Sequence, residues 1–160
     1  MDETIQTSNS YLSFKLEDET FAVEVAKVFE ILEIPPITKI PNSPLYMTGV
    51  INLRGNVLPV IDTRIKFNLS PTEYTVNSCI IVFKIKIDQD TLTLGALVDS
   101  VQEVIEIENS QIQPSPSMGN KYRSEFIKGM ARINEQFIMI LNIDDVFSAD
   151  DIVAVKETVE

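Results

Sequence analysis

Gly49–Arg64, GVINLRGNVLPVIDTR, decides how this chain is read. Val50–Leu53 is an apolar-rich strand. Arg54-Gly55-Asn56 is a turn signal, because glycine takes positive φ without steric cost and asparagine tolerates it. Val57–Ile61 is a second apolar run ending at Asp62, so the stretch predicts a β-hairpin. Pro59 cannot donate to a ladder, which predicts an edge strand or a bulge there. Alternation puts Val50, Asn52 and Arg54 on one face and Ile51 and Leu53 on the other. Arg54 thus stands at the tip, and its plain role is a solvated charge paired with a nearby carboxylate such as Asp62.

Upstream of the hairpin, Tyr11–Leu16 reads as a strand whose inward face the pattern leaves open. Residues 1–10 read as a polar tail. An acidic turn, Glu17–Thr20, leads into a returning strand, Phe21–Val25. Val25–Ile34 predicts a helical turn around Ala26–Val28 running into a strand over Phe29–Ile34, stopped by Pro35-Pro36. Ile37–Met47, with Pro41 and Pro44, predicts a surface connection. After the hairpin, Ile65–Phe67 closes the first half and Asn68–Asn77 is a polar linker.

The pattern then recurs. Val25, Val28, Glu30, Ile31, Glu33 and Ile34 reappear with identical spacing as Val98, Val101, Glu103, Val104, Glu106 and Ile107. Each copy follows a strand, an acidic turn (Glu17–Thr20, Asp88–Thr91) and a second strand. Each precedes a proline-rich connection, the later one Gln113–Pro116, and then a hairpin that begins at Gly49 or Gly129 and ends in Ile-Asp at Asp62 or Asp144. Shared apolar spacing arises by chance; the shared order of turn, strand, proline loop and glycine hairpin does not. The chain is a tandem duplication of a unit of about five short strands, which fits a small closed or nearly closed barrel. The subdomains fall at about residues 11–67 and 79–147. Ser148–Glu160 predicts a short C-terminal helix, with Ile152, Val155 and Val159 on one face.

The totals narrow the function. The 160 residues suffice for a real core, and 44% hydrophobic with 23% charged residues is ordinary for a globular protein. A net charge of −11 argues against nucleic acid and against an anionic membrane surface. The single cysteine, Cys79, has no partner for an internal disulfide, and its setting is that of a small buried hydrophobe. With no histidine, the commonest general base and metal ligand is missing. The glycines near Arg54 lack Walker A spacing and a following helix. The carboxylate pairs (Asp88 and Asp90, Asp144-Asp145, Asp150-Asp151) sit at turns or helix starts, where acidic residues serve local structure. No cofactor or metal is expected. The N-terminus lacks the basic and apolar regions of a signal peptide, and no apolar run reaches the length of a membrane span. A cytoplasmic protein is expected. A small β-barrel enzyme or ligand-binding protein is the competing class, disfavoured by the missing histidine and phosphate loop.

The hairpin GVINLRGNVLPVID closely resembles the signature of CheW, the coupling-protein family of bacterial chemotaxis. Glycine, asparagine, arginine-glycine, proline and aspartate all fall in register, and the resemblance runs from about Tyr11 to Phe147. It implies a mainly β fold of two tandem five-stranded SH3-like barrels. It implies a non-catalytic scaffold joining the cytoplasmic tips of chemoreceptors to the regulatory domain of the histidine kinase CheA, recruited to membrane receptor arrays. A CheW-like adaptor of a paralogous pathway, such as surface motility, would look the same. For the receptor, the resemblance points to the hairpin arginine and the groove between the barrels, with Val28, Glu30, Asn52, Arg54, Gly55, Cys79 and Ile81 as candidates. Phe29 and Ile31 share that apolar segment. For the kinase, the candidates are Leu92, Leu94 and Gly95, since a mid-strand glycine admits close approach. The competing role for the apolar candidates is core. Cys79 departs from the family, where a β-branched residue is usual, and the second hairpin carries Asn134-Glu135 in place of the arginine-glycine tip.

Overall fold

The computed structural model describes residues 8–87, 90–114 and 126–147. In chain order these form β1 (Ser8–Leu16), β2 (Glu19–Glu24), β3 (Val28–Glu33), β4 (Met47–Leu53), β5 (Asn56–Asp62), α1 (Thr63–Lys66), β6 (Cys79–Ile87), β7 (Asp90–Val98), β8 (Ser100–Glu108), β9 (Ile112–Gln113), β10 (Ile127–Ile133), β11 (Gln136–Leu141) and α2 (Ile143–Val146). Short 3-10 turns at Val25–Lys27 and Asn109–Gln111 precede β3 and β9. The helical turn expected around Ala26–Val28 is the first of these. The C-terminal helix expected over 148–160 lies outside the described residues.

The strands form two sheets, ordered β8-β1-β2-β11-β10-β9 and β3-β6-β7-β5-β4. Each sheet draws on both repeats. The first hairpin of the first repeat, β1–β2, joins the last strands of the second; β6–β7, the first hairpin of the second repeat, joins β3, β4 and β5. The halves 11–67 and 79–147 therefore describe the repeat but not the sheets. The exchange is symmetric in detail: β2 runs parallel to β11 with Ala22 opposite Ile140, and β7 runs parallel to β5 with Gly95 opposite Val60.

Each sheet also curls back on itself. Beyond β3, Thr38 exchanges two 2.9 Å backbone hydrogen bonds with Val50 of β4. The matching contact pairs Gln113 of β9 with Met130 of β10. These closures explain the glycines that open the two hairpins. A Cβ at Gly49 would lie 2.3 Å from the Thr38 carbonyl oxygen, and one at Gly129 2.8 Å from that of Gln113.

Apolar alternation splits the core three ways. Tyr11, Ala22, Ile107, Ala131, Ile138 and Ile140 fill the first barrel, and Ile51, Leu58, Val60, Ile80, Val82 and Leu97 fill the second. The largest cluster lies between them: Leu12, Phe14, Leu16, Phe21 and Val23 from one exchanged hairpin meet Ile81, Phe83, Ile85, Leu94, Ala96 and Val98 from the other. Phe14, Phe21, Phe67 and Phe126 form a run of ring contacts with centroids 5.5–5.9 Å apart. Each ring so withdrawn from water stabilises by roughly 1.5–3 kcal/mol. β1 showed no inward face in the sequence because both of its faces are buried, Tyr11 in a barrel and Leu12, Phe14 and Leu16 between barrels.

Two further expectations are corrected. The first strand begins at Ser8, since Ser8, Asn9 and Ser10 pair with Glu108, Ile107 and Glu106 of β8. Pro59 lies in an interior strand rather than at an edge or bulge; the parallel ladder to β7 begins only at Val60, so the proline nitrogen stays outside it. Beyond Asp62 the chain turns into α1, whose N-terminus Asp62 caps by accepting from the Arg64 N–H at 3.1 Å. Among the described residues no helix is long and apolar enough to cross a membrane.

Candidate functional site

The tip of the β4–β5 hairpin is a two-residue turn. Arg54 and Gly55 take φ of 52° and 87°, between paired Leu53 and Asn56. Turns of this hand match the strand twist, at the cost of positive φ in a non-glycine residue. The Asn52 Oδ1 accepts the Gly55 N–H at 2.7 Å and holds the turn. Asn52 and Gly55 thus shape the tip, while the Arg54 side chain is 63% exposed.

Arg54 pairs with Glu30 of β3, brought alongside by the barrel closure. It does not pair with Asp62. That carboxylate sits at the far end of β5, where it accepts from the Thr72 hydroxyl at 2.7 Å and the Thr72 N–H at 3.1 Å. An exposed ion pair contributes about 0–1 kcal/mol, so Arg54 and Glu30 are available to a partner at little cost to the fold.

Burial along β3 alternates. Val28, Glu30 and Leu32 are half-buried; Phe29 and Ile31 are 48% and 45% exposed. The Lys84 ammonium lies 4.7 Å from the Phe29 ring centre, a cation–π contact. Val28 and Cys79 pack at the margin of the inter-barrel core. Ile81 does not belong to an open groove: its exposure is 0%. Two apolar hairpins pack directly against each other along that seam, so the groove inferred from the sequence is filled where Ile81 lies. What remains open is its rim, formed by Val28, Phe29, Ile31 and Cys79.

The Cys79 thiol is half-buried, and burial pushes its pKa up, partly offset by a backbone hydrogen bond from Val101. Since thiolate is the reactive form, the raised pKa leaves little of it at neutral pH. Alkylation of Cys79 at pH 7 should be slower than that of an exposed peptide thiol and should accelerate as pH rises. Reaction at the rate of the free peptide would contradict this placement.

The kinase candidates fare differently. Leu92 is half-exposed, but Leu94 and Gly95 are buried. A Cβ at Gly95 would come within 2.8 Å of Ile80 Cγ2 and 3.3 Å of Leu58 Cδ2. The close approach that this glycine admits is internal, from β6 and β5, and leaves no room for a partner. A second surface was not singled out by the sequence. At the β10–β11 hairpin a cavity of about 690 Å³ is lined by Gln113, Pro114, Met130, Arg132, Phe137 and Met139. Phe137 is 60% exposed beside Arg132. Its only sequence signal was an aromatic just past the Asn134-Glu135 tip, whose φ values of 51° and 64° repeat the geometry of Arg54-Gly55.

Comparison with known proteins agrees with this architecture. The profile of the CheW-like domain matches residues 10–151. The chain is 33% identical over 143 residues to a probable chemotaxis protein CheW of Rhizobium etli, covering 89% of this chain and 90% of that one. It is 30% identical over 145 residues to chemotaxis protein CheW of Klebsiella aerogenes, covering 91% and 85%. The crystal structure of the scaffolding protein TtCheW from Thermoanaerobacter tengcongensis superposes with a TM-score of 0.80 at 28% identity, covering 94% of this chain and 95% of that one. With its duplicated β units, exchanged hairpins and arginine-glycine tip, the chain belongs to the CheW-like domain family, the non-catalytic scaffolds of chemotaxis.

Proposed function

We propose that this chain couples the cytoplasmic tips of chemoreceptors to the regulatory domain of the kinase CheA, holding both at high effective concentration without chemistry of its own. The observation that carries this reading is the exposed Arg54, paired with half-buried Glu30, beside the exposed Phe29 and Ile31. A charged tip next to an apolar rim suits the side of a receptor helix bundle. We assign the kinase to a separate face, the cavity around Phe137 and Arg132, in place of Leu94 and Gly95. Leu92 is the one original kinase candidate that a partner could still touch.

Two variants test the separation. Arg54→Ala should weaken receptor binding about tenfold or more, as for an arginine anchor, with a melting temperature nearly unchanged. Phe137→Glu should cut kinase binding and spare the receptor. Binding of each variant to receptor fragment and kinase domain is read by titration, with unfolding followed in parallel. Loss of both partners from either variant, without unfolding, would contradict two separate sites. Arg54→Ala melting several degrees lower with receptor affinity intact would make Arg54 structural.

A further inference from the structure

A duplicated chain can pair each first hairpin with the last strands of its own repeat or with those of the other. Apolar burial discriminates weakly between the two, because Leu12, Phe14 and Leu16 correspond to Ile81, Phe83 and Ile85 and all six enter the same inter-barrel core. Charge does discriminate. The chain leaves one sheet for the other at two crossovers, Val25–Lys27 and the step from β7 to β8 at Asp99. At each, a charged residue is bonded to the helical turn that follows the last hairpin of the other repeat.

At the first junction, Arg64 of α1 grips Asp99: Nε lies 2.9 and 3.1 Å from its two oxygens and Nη2 2.6 Å from Oδ2. Asp99 also accepts the Glu17 N–H at 2.6 Å, and its own N–H donates to the Lys15 carbonyl at 3.1 Å, which ties in the β1–β2 turn. The Glu17 carboxylate is 3.8 Å from Arg64 Nη1. Both Arg64 and Asp99 are more than four-fifths withdrawn from water, at 14% and 17% exposure. At the second junction, Lys27 Nζ lies 2.7 Å from Asp144 Oδ2 of α2. Among the described residues the other oxygen of Asp144 is buried without a hydrogen-bond partner, and Lys27 is the cation paired with this carboxylate.

The two junctions are equivalent positions of the duplication. Arg64 follows Val60 by as many residues as Asp144 follows Ile140, and Asp99 follows Gly95 by one fewer than Lys27 follows Ala22. Their polarity is inverted: the first repeat supplies both cations, the second both anions. Pairing within a repeat would set Lys27 against Arg64 and Asp99 against Asp144, like against like at both junctions. A third cross-repeat pair, Lys128 with Glu24 at 3.8 Å, has neutral Thr48 and Leu97 at the matching positions and would be lost as well.

We propose that this division of charge between the repeats is a specificity device, selecting the exchanged pairing of the duplicated hairpins over pairing within each repeat. Its force lies as much in the repulsion it sets against the wrong pairing as in the bonds it makes in the right one. Salt screens these charges while the hairpins are still hydrated and choosing a partner, and much less once the pairs are withdrawn from water.

The test is refolding of the full chain from denaturant at low salt. One variant carries Arg64→Asp with Asp99→Arg. Its exchanged pairs remain opposite in sign, but pairing within each repeat becomes attractive too, Asp at 64 facing Lys27 and Arg at 99 facing Asp144. A second variant adds Lys27→Asp and Asp144→Lys, which inverts all four junction charges and restores like-against-like within each repeat. Native monomer is scored by size exclusion together with the backbone proximities of Ala22 to Ile140 and of Val60 to Gly95 in nuclear magnetic resonance spectra, which only the exchanged pairing brings together. Recovery of the first variant should fall about twofold or more below that of the unaltered protein, and recovery of the second should return to it. The deficit of the first should shrink near ~1 M salt, where the screening length is ~3 Å. The proposal is overturned if the first variant refolds as well as the unaltered protein, or if the second is impaired as much as the first, since local geometry and not the sign of charge would then be at work.

Discussion

Ile81→Glu should unfold this protein, whereas Ile31→Glu, directly across the β3–β6 ladder, should leave it folded and abolish receptor binding. The two isoleucines are register partners, yet one is fully buried and the other 45% exposed. A carboxylate at 81 would enter the apolar seam that Ile81 shares with Phe83, Leu94 and Ala96. An uncompensated buried charge costs several kcal/mol, comparable with the whole stability of a domain of this size. At 31 the same carboxylate stays in water and only removes apolar contact area. Circular dichroism melts and receptor titration check both. A folded Ile81→Glu protein that had merely lost its receptor would restore Ile81 to an open groove and overturn the filled seam described here.

Gly49→Ala should be the most damaging single methyl in the β4–β5 hairpin. Its Cβ would sit 2.3 Å from the Thr38 carbonyl oxygen and 2.8 Å from Ile37 Cγ2. The first contact is backbone, so relief requires opening the Thr38–Val50 bridge that closes the barrel. Overpacking of this kind costs about 3 kcal/mol or more where backbone must shift. Gly55→Ala is the control. Its φ of 87° also disfavours a side chain, but nothing among the described residues lies within 4 Å of the added atom, so it should cost only the roughly 1–2 kcal/mol of a left-handed residue. Denaturant unfolding would separate them. Equal losses from both would mean that glycine is needed at 49 for its backbone freedom alone and not for the closure.

Much of the fold was legible because it is written in local chemistry. Period-two alternation, turn residues and prolines marked out most of the strands, and the recurrence of Val25–Ile34 as Val98–Ile107 revealed the duplication. The arginine-glycine tip was readable too, since a two-residue turn needs residues that accept positive φ, and the signature around it named the family. Sequence could not say which hairpin pairs with which sheet. Apolar burial discriminates only weakly between the two pairings, and the choice rests on contacts between residues as far apart as Arg64 and Asp99 or Lys27 and Asp144. For the same reason it could not separate Ile81 and Leu94 from Ile31 and Phe137. All four are apolar residues on strands, and only the packing of one exchanged hairpin against the other makes the first two core and leaves the last two in water.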